Sequence, residues 1–256
     1  MMDTDKLIEY QRYNESSKNR LGTLNEAPLL INGSSNFPSY LRSPYLYYED
    51  LIKSAIKPEM RVLDLCCGDG IHSIGLGLLS NHVVATDIAE NSLEIAKIRA
   101  RIANVSTITF QKGDAEQLDF PDNSFDVVTC IGSISYVDLE KFTSEVLRVL
   151  KPGGMFIAVD SFNHNPIFRL NRYVHYLRGT RSLSTLTRMP NYKTLAYFKQ
   201  KFNTSTVNYF GTFVFLGKFF EKIFGEKRAQ TLLNKLDQRT PFLKKFSFKI
   251  VIIASK

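Results

Sequence analysis

Two carboxylates and two glycines stand at spacings that suit a bound nucleoside: Asp64, Gly68, Gly70 and Asp87. Asp64 lies inside the apolar run Val62-Leu63-Asp64-Leu65, and the turn Cys66-Cys67-Gly68-Asp69-Gly70 follows. Glycine lets a backbone approach a ligand closely and take positive φ. Asp87 closes the next apolar run, where a carboxylate accepts from both hydroxyls of a ribose. A dinucleotide oxidoreductase shares this logic, but its fingerprint needs a third glycine. From Gly68 the chain reads Gly68, Asp69, Gly70, Ile71, His72, Ser73, so that glycine is missing. Cys66 and Cys67 have no second Cys/His pair at ligand spacing, and no metal site is expected.

Such residues need a strand before the turn and a helix after it. Arg61–Leu65 reads as a buried strand, with helical spacing over 71–79. Further strands are expected over 82–86, 106–111, 125–130, 155–160 and 246–254, with helices over 89–103 and 138–150. The second helix stops at Lys151-Pro152-Gly153-Gly154, because proline cannot continue it and glycine suits its exit. Strands alternating with helices imply an α/β fold with a doubly wound, mostly parallel sheet. Three segments fall outside this rhythm: residues 1–59, with tyrosines at Tyr40, Tyr45, Tyr47 and Tyr48; the basic stretch 161–193; and 213–236, which reads as one or two amphipathic helices.

The 256 residues are 44% hydrophobic and 23% charged, as in an ordinary globular chain with one main core. No apolar run reaches the ~18 residues that span a bilayer. The acidic start MMDTDKLIEYQR does not read as a signal peptide, and three cysteines make a poor disulfide framework, so a cytoplasmic location is expected. Charge divides along the chain: residues 161–256 carry a net +15 and residues 1–160 a net −7. A basic C-terminal part suits an anionic partner.

Four motifs in order identify a resemblance. VLDLCCGDG, the acid in TDI, GDAEQLDFPDNSFDVVTC and LRVLKPGGMF resemble the class I S-adenosylmethionine-dependent methyltransferases over about 60–256. Cys66 departs from the usual glycine, in a Cys-Cys-Gly form familiar among quinone-biosynthesis methyltransferases. The resemblance implies a Rossmann-like seven-stranded sheet and S-adenosyl-L-methionine as cofactor. It places Asp64, Cys66, Gly68 and Gly70 by the methionine part, Asp87 on the ribose and Ile88 on the adenine face. Asp114 and Ala115 fall at the adenine amine, and Cys130 and Ile131 under the transferring methyl. Residues 1–59 are expected to cover the cofactor, with Arg42 or a nearby tyrosine on its carboxylate; 161–193 and 212–240 are expected as acceptor-side insertions.

Methyl transfer to a hydroxyl needs a general base. Candidates beyond the fourth and fifth strands are Tyr136, Asp160 and His164, with His175 more remote. The segment NHNPIFRLNRYVHYLRGTRS, with GSISYV, more weakly resembles methyltransferases of bacterial polysaccharide and sugar biosynthesis. Its Arg169, Arg172, Arg178, Arg181 and Arg188 would suit phosphate. The expected acceptor is therefore a small, anionic or phosphate-linked molecule, with a sugar or glycoconjugate hydroxyl or amine leading. A quinone or lipid acceptor at a membrane surface is the alternative, since Phe213 to Phe224 with Lys227 and Arg228 has interfacial character. RNA is a further rival but brings no flipped-base motif. Nothing in the sequence sets an oligomeric state.

Overall fold

The computed structural model describes residues 4–22, 33–178 and 183–256. Seven strands form one sheet: β1 (Arg61–Leu65), β2 (His82–Asp87), β3 (Ile108–Lys112), β4 (Phe125–Ile131), β5 (Leu150–Ser161), β6 (Thr204–Phe210) and β7 (Lys249–Ser255). Their order is β3-β2-β1-β4-β5-β7-β6. Neighbours from β3 to β5 pair in parallel, and β7 runs antiparallel to both β5 and β6. The winding reverses between β1 and β4, where sheets of this kind open a crevice beyond the strand carboxyl ends.

Among the described residues ten α-helices accompany the sheet: α1 (Thr4–Gly22), α2 (Ser43–Ala55), α3 (Ser73–Gly77), α4 (Glu90–Ile102), α5 (Leu139–Val149), α6 (Pro166–Leu177), α7 (Leu183–Thr187), α8 (Tyr192–Lys201), α9 (Gly217–Phe224) and α10 (Glu226–Arg239). Strand side chains alternate between two cores. Val128, Phe156 and Ala158 pack with Phe142 and Val146 of α5 and Phe198 of α8. Val127, Ile157 and Val159 pack with Tyr45, Tyr48 and Ile52 of α2. Covering both faces explains why β1 and β4 read as nearly continuous apolar runs. Burying a side chain such as Phe142 contributes about 1.5–3 kcal/mol. Local chemistry agrees with the packing, since Asp138 caps α5 by accepting from the N–H of Glu140 and Lys141 at 3.1 and 3.0 Å. Asn165 caps α6 in the same way, ahead of Pro166 at its start.

Three elements differ from the sequence expectation. β5 begins at Leu150, not Met155, because Lys151-Pro152-Gly153-Gly154 stays in the strand across a register shift against β4. α3 shrinks to Ser73–Gly77, its apolar residues serving a single helical turn. β6 carries Thr204, Ser205, Thr206 and Asn208, and as an edge strand it needs no strong apolar alternation. The basic stretch 213–236 forms α9 and α10, broken at Gly225 with φ +75°. Among the described residues no helix is long and apolar enough to cross a membrane.

Gly70 sets how closely the first turn packs on α4. Its φ is +73°, and a Cβ there would lie 2.7 Å from the Cβ of Ala96. Gly70→Ala should therefore cost about 2–4 kcal/mol of stability through strain and overpacking, read as a lower urea midpoint.

Candidate active site

The turn after β1 is held by the tip of β2. Asp87 Oδ2 accepts from the Gly68 N–H at 2.8 Å, and Oδ1 accepts from the Ala89 N–H at 2.8 Å. Burial raises the Asp87 carboxyl, against which these backbone donors favour its ionised form. The turn also takes Cys66 to φ +54°, a conformation that costs a non-glycine residue about 1–3 kcal/mol. Gly68 shares that φ, and a Cβ built on it meets no protein atom within 4 Å. Its open side faces a cavity of about 320 Å³ at the carboxyl ends of β1, β2 and β4.

Cys66, Gly68, Asp87, Ile88, Asp114, Ala115 and Ile131 line this cavity. Three other expected residues support it from outside. Asp64 is buried beneath the turn and accepts from Ser73 Oγ at 2.6 Å and Thr129 Oγ1 at 2.9 Å, so it bolts α3 and β4 to β1. Gly70 serves the contact with α4, and Cys130 lies wholly in the core. Arg42 is committed elsewhere, its Nε donating to the Phe37 carbonyl at 2.6 Å. Tyr45 does reach the wall, stacked between Phe37 and His72 at centroid distances of 3.9 and 5.5 Å. His72 is a lining residue that sequence reasoning missed, and burial pushes its imidazole down to about 4, leaving it neutral at pH 7.

α1 supplies the roof. Lys6, Glu9 and Tyr13 line the cavity from one helical face. Lys6 Nζ lies 2.7 Å from Asp114 and 2.8 Å from Glu116. Asn14 and Ser17 bond to Asn91 and Ser92 of α4, at 3.0 and 2.8 Å. Arg20 bonds Asp69 of the turn at 2.6 Å, beside the buried Arg99 at 3.0 Å. This periodic face was visible in the sequence at positions 6, 9, 13, 17 and 20. It is polar, so a search for apolar stripes passes over it.

A second cavity, of about 560 Å³, adjoins the first and shares Tyr13 and Tyr136 with it. The two hydroxyls bond at 3.0 Å across the junction. Arg12, Ser161, Asn171, Arg172 and His175 supply its polar lining, and Phe168, Met189 and Phe248 its apolar lining. Of the proposed acid–base residues, Tyr136 alone lines either cavity. Asp160 is buried, accepting from the Ile134 N–H at 2.8 Å and the Ser161 N–H at 2.6 Å. His164 packs on Phe162 and Tyr192 away from both cavities, and its Nε2 accepts from the Tyr192 N–H at 3.4 Å. His175, which the sequence sets mid-helix beside Tyr173 and Tyr176, lines the second cavity, where α6 also places Phe168, Asn171 and Arg172. The arginines do not form one cluster. Arg172 lines the second cavity and also a separate groove that it shares with Arg169, Asn163 and Leu186, and Arg181 lies outside the described residues. Among the described residues no group of three or more His, Cys, Asp or Glu could hold a metal ion.

The strand order, the glycine turn and the acid at the tip of β2 define a nucleoside-binding sheet of the methyltransferase kind. Residues 63–158 match the family model described as a methyltransferase domain. The uncharacterized methyltransferase YcgJ of Bacillus subtilis is 34% identical over 137 residues, 52% of this chain and 53% of YcgJ. Its crystal structure superposes with a TM-score of 0.54 at 25% identity, covering 82% of this chain and 98% of that one. A demethylmenaquinone methyltransferase of Leptospira interrogans is 43% identical over 114 residues, 43% of this chain and 46% of that protein. The [4+2]-cyclase SpnF shares the fold at a TM-score of 0.62 and 16% identity, over 96% of this chain and 94% of its own. The chain spans about half the length of the curated relatives it matches. Residues 63–158 thus carry a methyltransferase domain, on a sheet with the fold of the class I S-adenosylmethionine-dependent methyltransferases.

The residues present fit that cofactor. A cavity of about 320 Å³ suits a molecule of this size, Gly68 leaves room where a side chain would intrude, and the carboxylates of Asp87 and Asp114 line the wall as acceptors for its hydroxyl and amine donors. Asp87→Ala should weaken S-adenosylhomocysteine binding about a hundredfold or more by calorimetry, because two charge-assisted bonds and the clamp on Gly68 are lost together. Asp64 gives a separate test. Burial lifts its carboxyl to about 6, so ionising it in the folded chain is penalised. Its stabilisation is complete below the unfolded pKa and is lost as pH rises through 6. Between pH 4 and 7.5, urea unfolding of Asp64→Asn should gain on the order of 2–3 kcal/mol relative to wild type.

Proposed function

We propose that this chain transfers a methyl group from S-adenosylmethionine to a small acceptor held in the second cavity. The observation that carries this reading is the common wall: Tyr13 and Tyr136 border both cavities, so an acceptor in one can address a donor in the other. S-adenosylmethionine supplies a methyl group on a positively charged sulfur that leaves as a neutral thioether. The protein's own task is alignment, exclusion of water and handling of one proton. In-line positioning of this kind contributes roughly 7–11 kcal/mol. The roof of α1 limits water entry, and Tyr136 fixes the edge past which the nucleophile approaches. An acceptor hydroxyl gives its proton to His175 as its oxygen, or a ring carbon conjugated with it that then sheds its own hydrogen as a proton, bonds the methyl carbon. Arg12 and Arg172 then hold the anionic part of the acceptor.

The acceptor in this reading is an apolar ring with an acidic hydroxyl or another anionic group, of the quinol type. Phe168, Met189 and Phe248 offer the ring an apolar wall, and the two arginines meet its charge. The Leptospira relative named a demethylmenaquinone methyltransferase supports the same class, though its similarity covers less than half of either chain. The sugar hydroxyl expected from residues 161–193 gains no such support, since none of the relatives named above is described as acting on a sugar. Labelled cofactor should transfer methyl to reduced naphthoquinones in preference to sugar nucleotides or RNA. Label confined to sugar nucleotides would remove the ring assignment, and no transfer to any acceptor would remove the reading itself. His175→Gln should lower kcat by about 10²–10⁴ with cofactor affinity unchanged, while His164→Gln stays near wild type. The opposite ranking would return the proton to His164.

A further inference from the structure

The outer side of the α9–α10 pair carries an apolar row that the rest of the fold leaves uncovered. Phe215, Phe219 and Ile223 recur at every fourth residue through the 3-10 turn Val214–Leu216 and α9, so they form one row. They are 44%, 61% and 54% exposed. Phe242, 72% exposed, stands on the 3-10 turn Pro241–Phe246 that packs on α10. Lys218 and Lys222 flank the row, and Lys227 and Arg228 open α10, all exposed. None of these four forms an ion pair among the described residues.

Two of the three acids of this region are turned inward. Residues 161–256 contain Glu221, Glu226 and Asp237 as their only acids. Glu221 accepts from Ser39 Oγ, and Asp237 accepts from the N–H groups of Gly211 and Thr212 at 2.7 and 3.1 Å. The outward face is thereby left aromatic and cationic, with Glu226 its one exposed acid. A charge of this sign beside an apolar row matches the boundary of an anionic bilayer, where aromatic rings enter the headgroup level and lysines meet phosphate.

We propose that this face docks on an anionic lipid membrane through Phe215, Phe219 and Ile223, with Lys218 and Lys222 drawn to its phosphates. The 3-10 turn that carries Phe242 leads into the wall of the second cavity. Asn165 Nδ2 donates to the Phe246 carbonyl at 2.8 Å, and the Phe168 and Phe248 rings, both in that cavity's wall, lie 4.3 Å apart. A lipid-held acceptor would thus enter beside the bilayer. Docking goes beyond methyl transfer and is measured without cofactor or acceptor, so its failure leaves that reading standing.

The chain contains no tryptophan, so Phe219→Trp makes a single reporter. The full chain should sediment with vesicles of phosphatidylcholine and phosphatidylglycerol, be released by salt, and ignore phosphatidylcholine alone. The Phe219→Trp emission should shift to the blue on the mixed vesicles. Phe219→Ser with Ile223→Ser, and Lys218→Glu with Lys222→Glu, should each weaken binding about tenfold or more with unchanged circular dichroism. The proposal is overturned if wild type ignores the anionic vesicles, if the emission does not move, or if both double variants bind like wild type. A wild-type dimer that Phe219→Ser with Ile223→Ser splits would assign the row to a second copy instead. Binding of an RNA oligomer in preference to vesicles would assign the charge to nucleic acid.

Discussion

The Asp87 carboxylate is the joint on which the site depends. It takes one backbone N–H from the turn after β1 and another from the start of α4, and so fixes two strand ends against each other. A buried carboxylate needs such donors, because an unpaired one would shed its charge. With one lone pair on each oxygen committed to backbone, the others remain for a ligand with two adjacent hydroxyls. In the proposed cofactor complex the side chain that clamps the turn would also read the ribose. Asp64 works one layer below, joining β1 to β4 and α3 through two hydroxyls.

Carboxylates crowd this end of the sheet. Asp87 disfavours ionisation of Asp64 and Asp69 that of Asp87, while Asp69 is itself balanced by Arg20 and Arg99. A negative enclosure is unfavourable when empty and favourable around a cationic sulfonium, which suits a methyl donor better than its neutral product. The roof of α1 is attached in the same polar manner, through Lys6, Asn14, Ser17 and Arg20. Half-exposed pairs such as that of Arg20 contribute little each, so α1 is held by many weak bonds rather than by a deep apolar face.

Charge is partitioned with the layers. The acidic half lines the first cavity, and the basic half supplies most of the second cavity's lining and the outward face of α9 and α10. SpnF, a cyclase on the same fold, illustrates that such a sheet does not itself dictate a reaction, which must be argued from the side chains at the junction of the two cavities.

The order of elements from β1 to β5, the glycine turn and the acid at the tip of β2 were legible in the sequence, because each depends on neighbours within a few residues. Buried strands read as apolar runs, and a turn that needs positive φ announces itself by glycine. What tertiary structure alone decided was depth and adjacency. Asp64, Gly70 and Cys130 belong to the motifs yet sit behind the cavity wall, while Lys6, Tyr13 and His72 reach it from distant or unmarked positions. His164 and His175 lie eleven residues apart and looked alike in composition. Only the tertiary placement of α6 puts one in the second cavity and leaves the other against Tyr192, because the direction of a side chain is set by packing between elements that the local sequence does not encode.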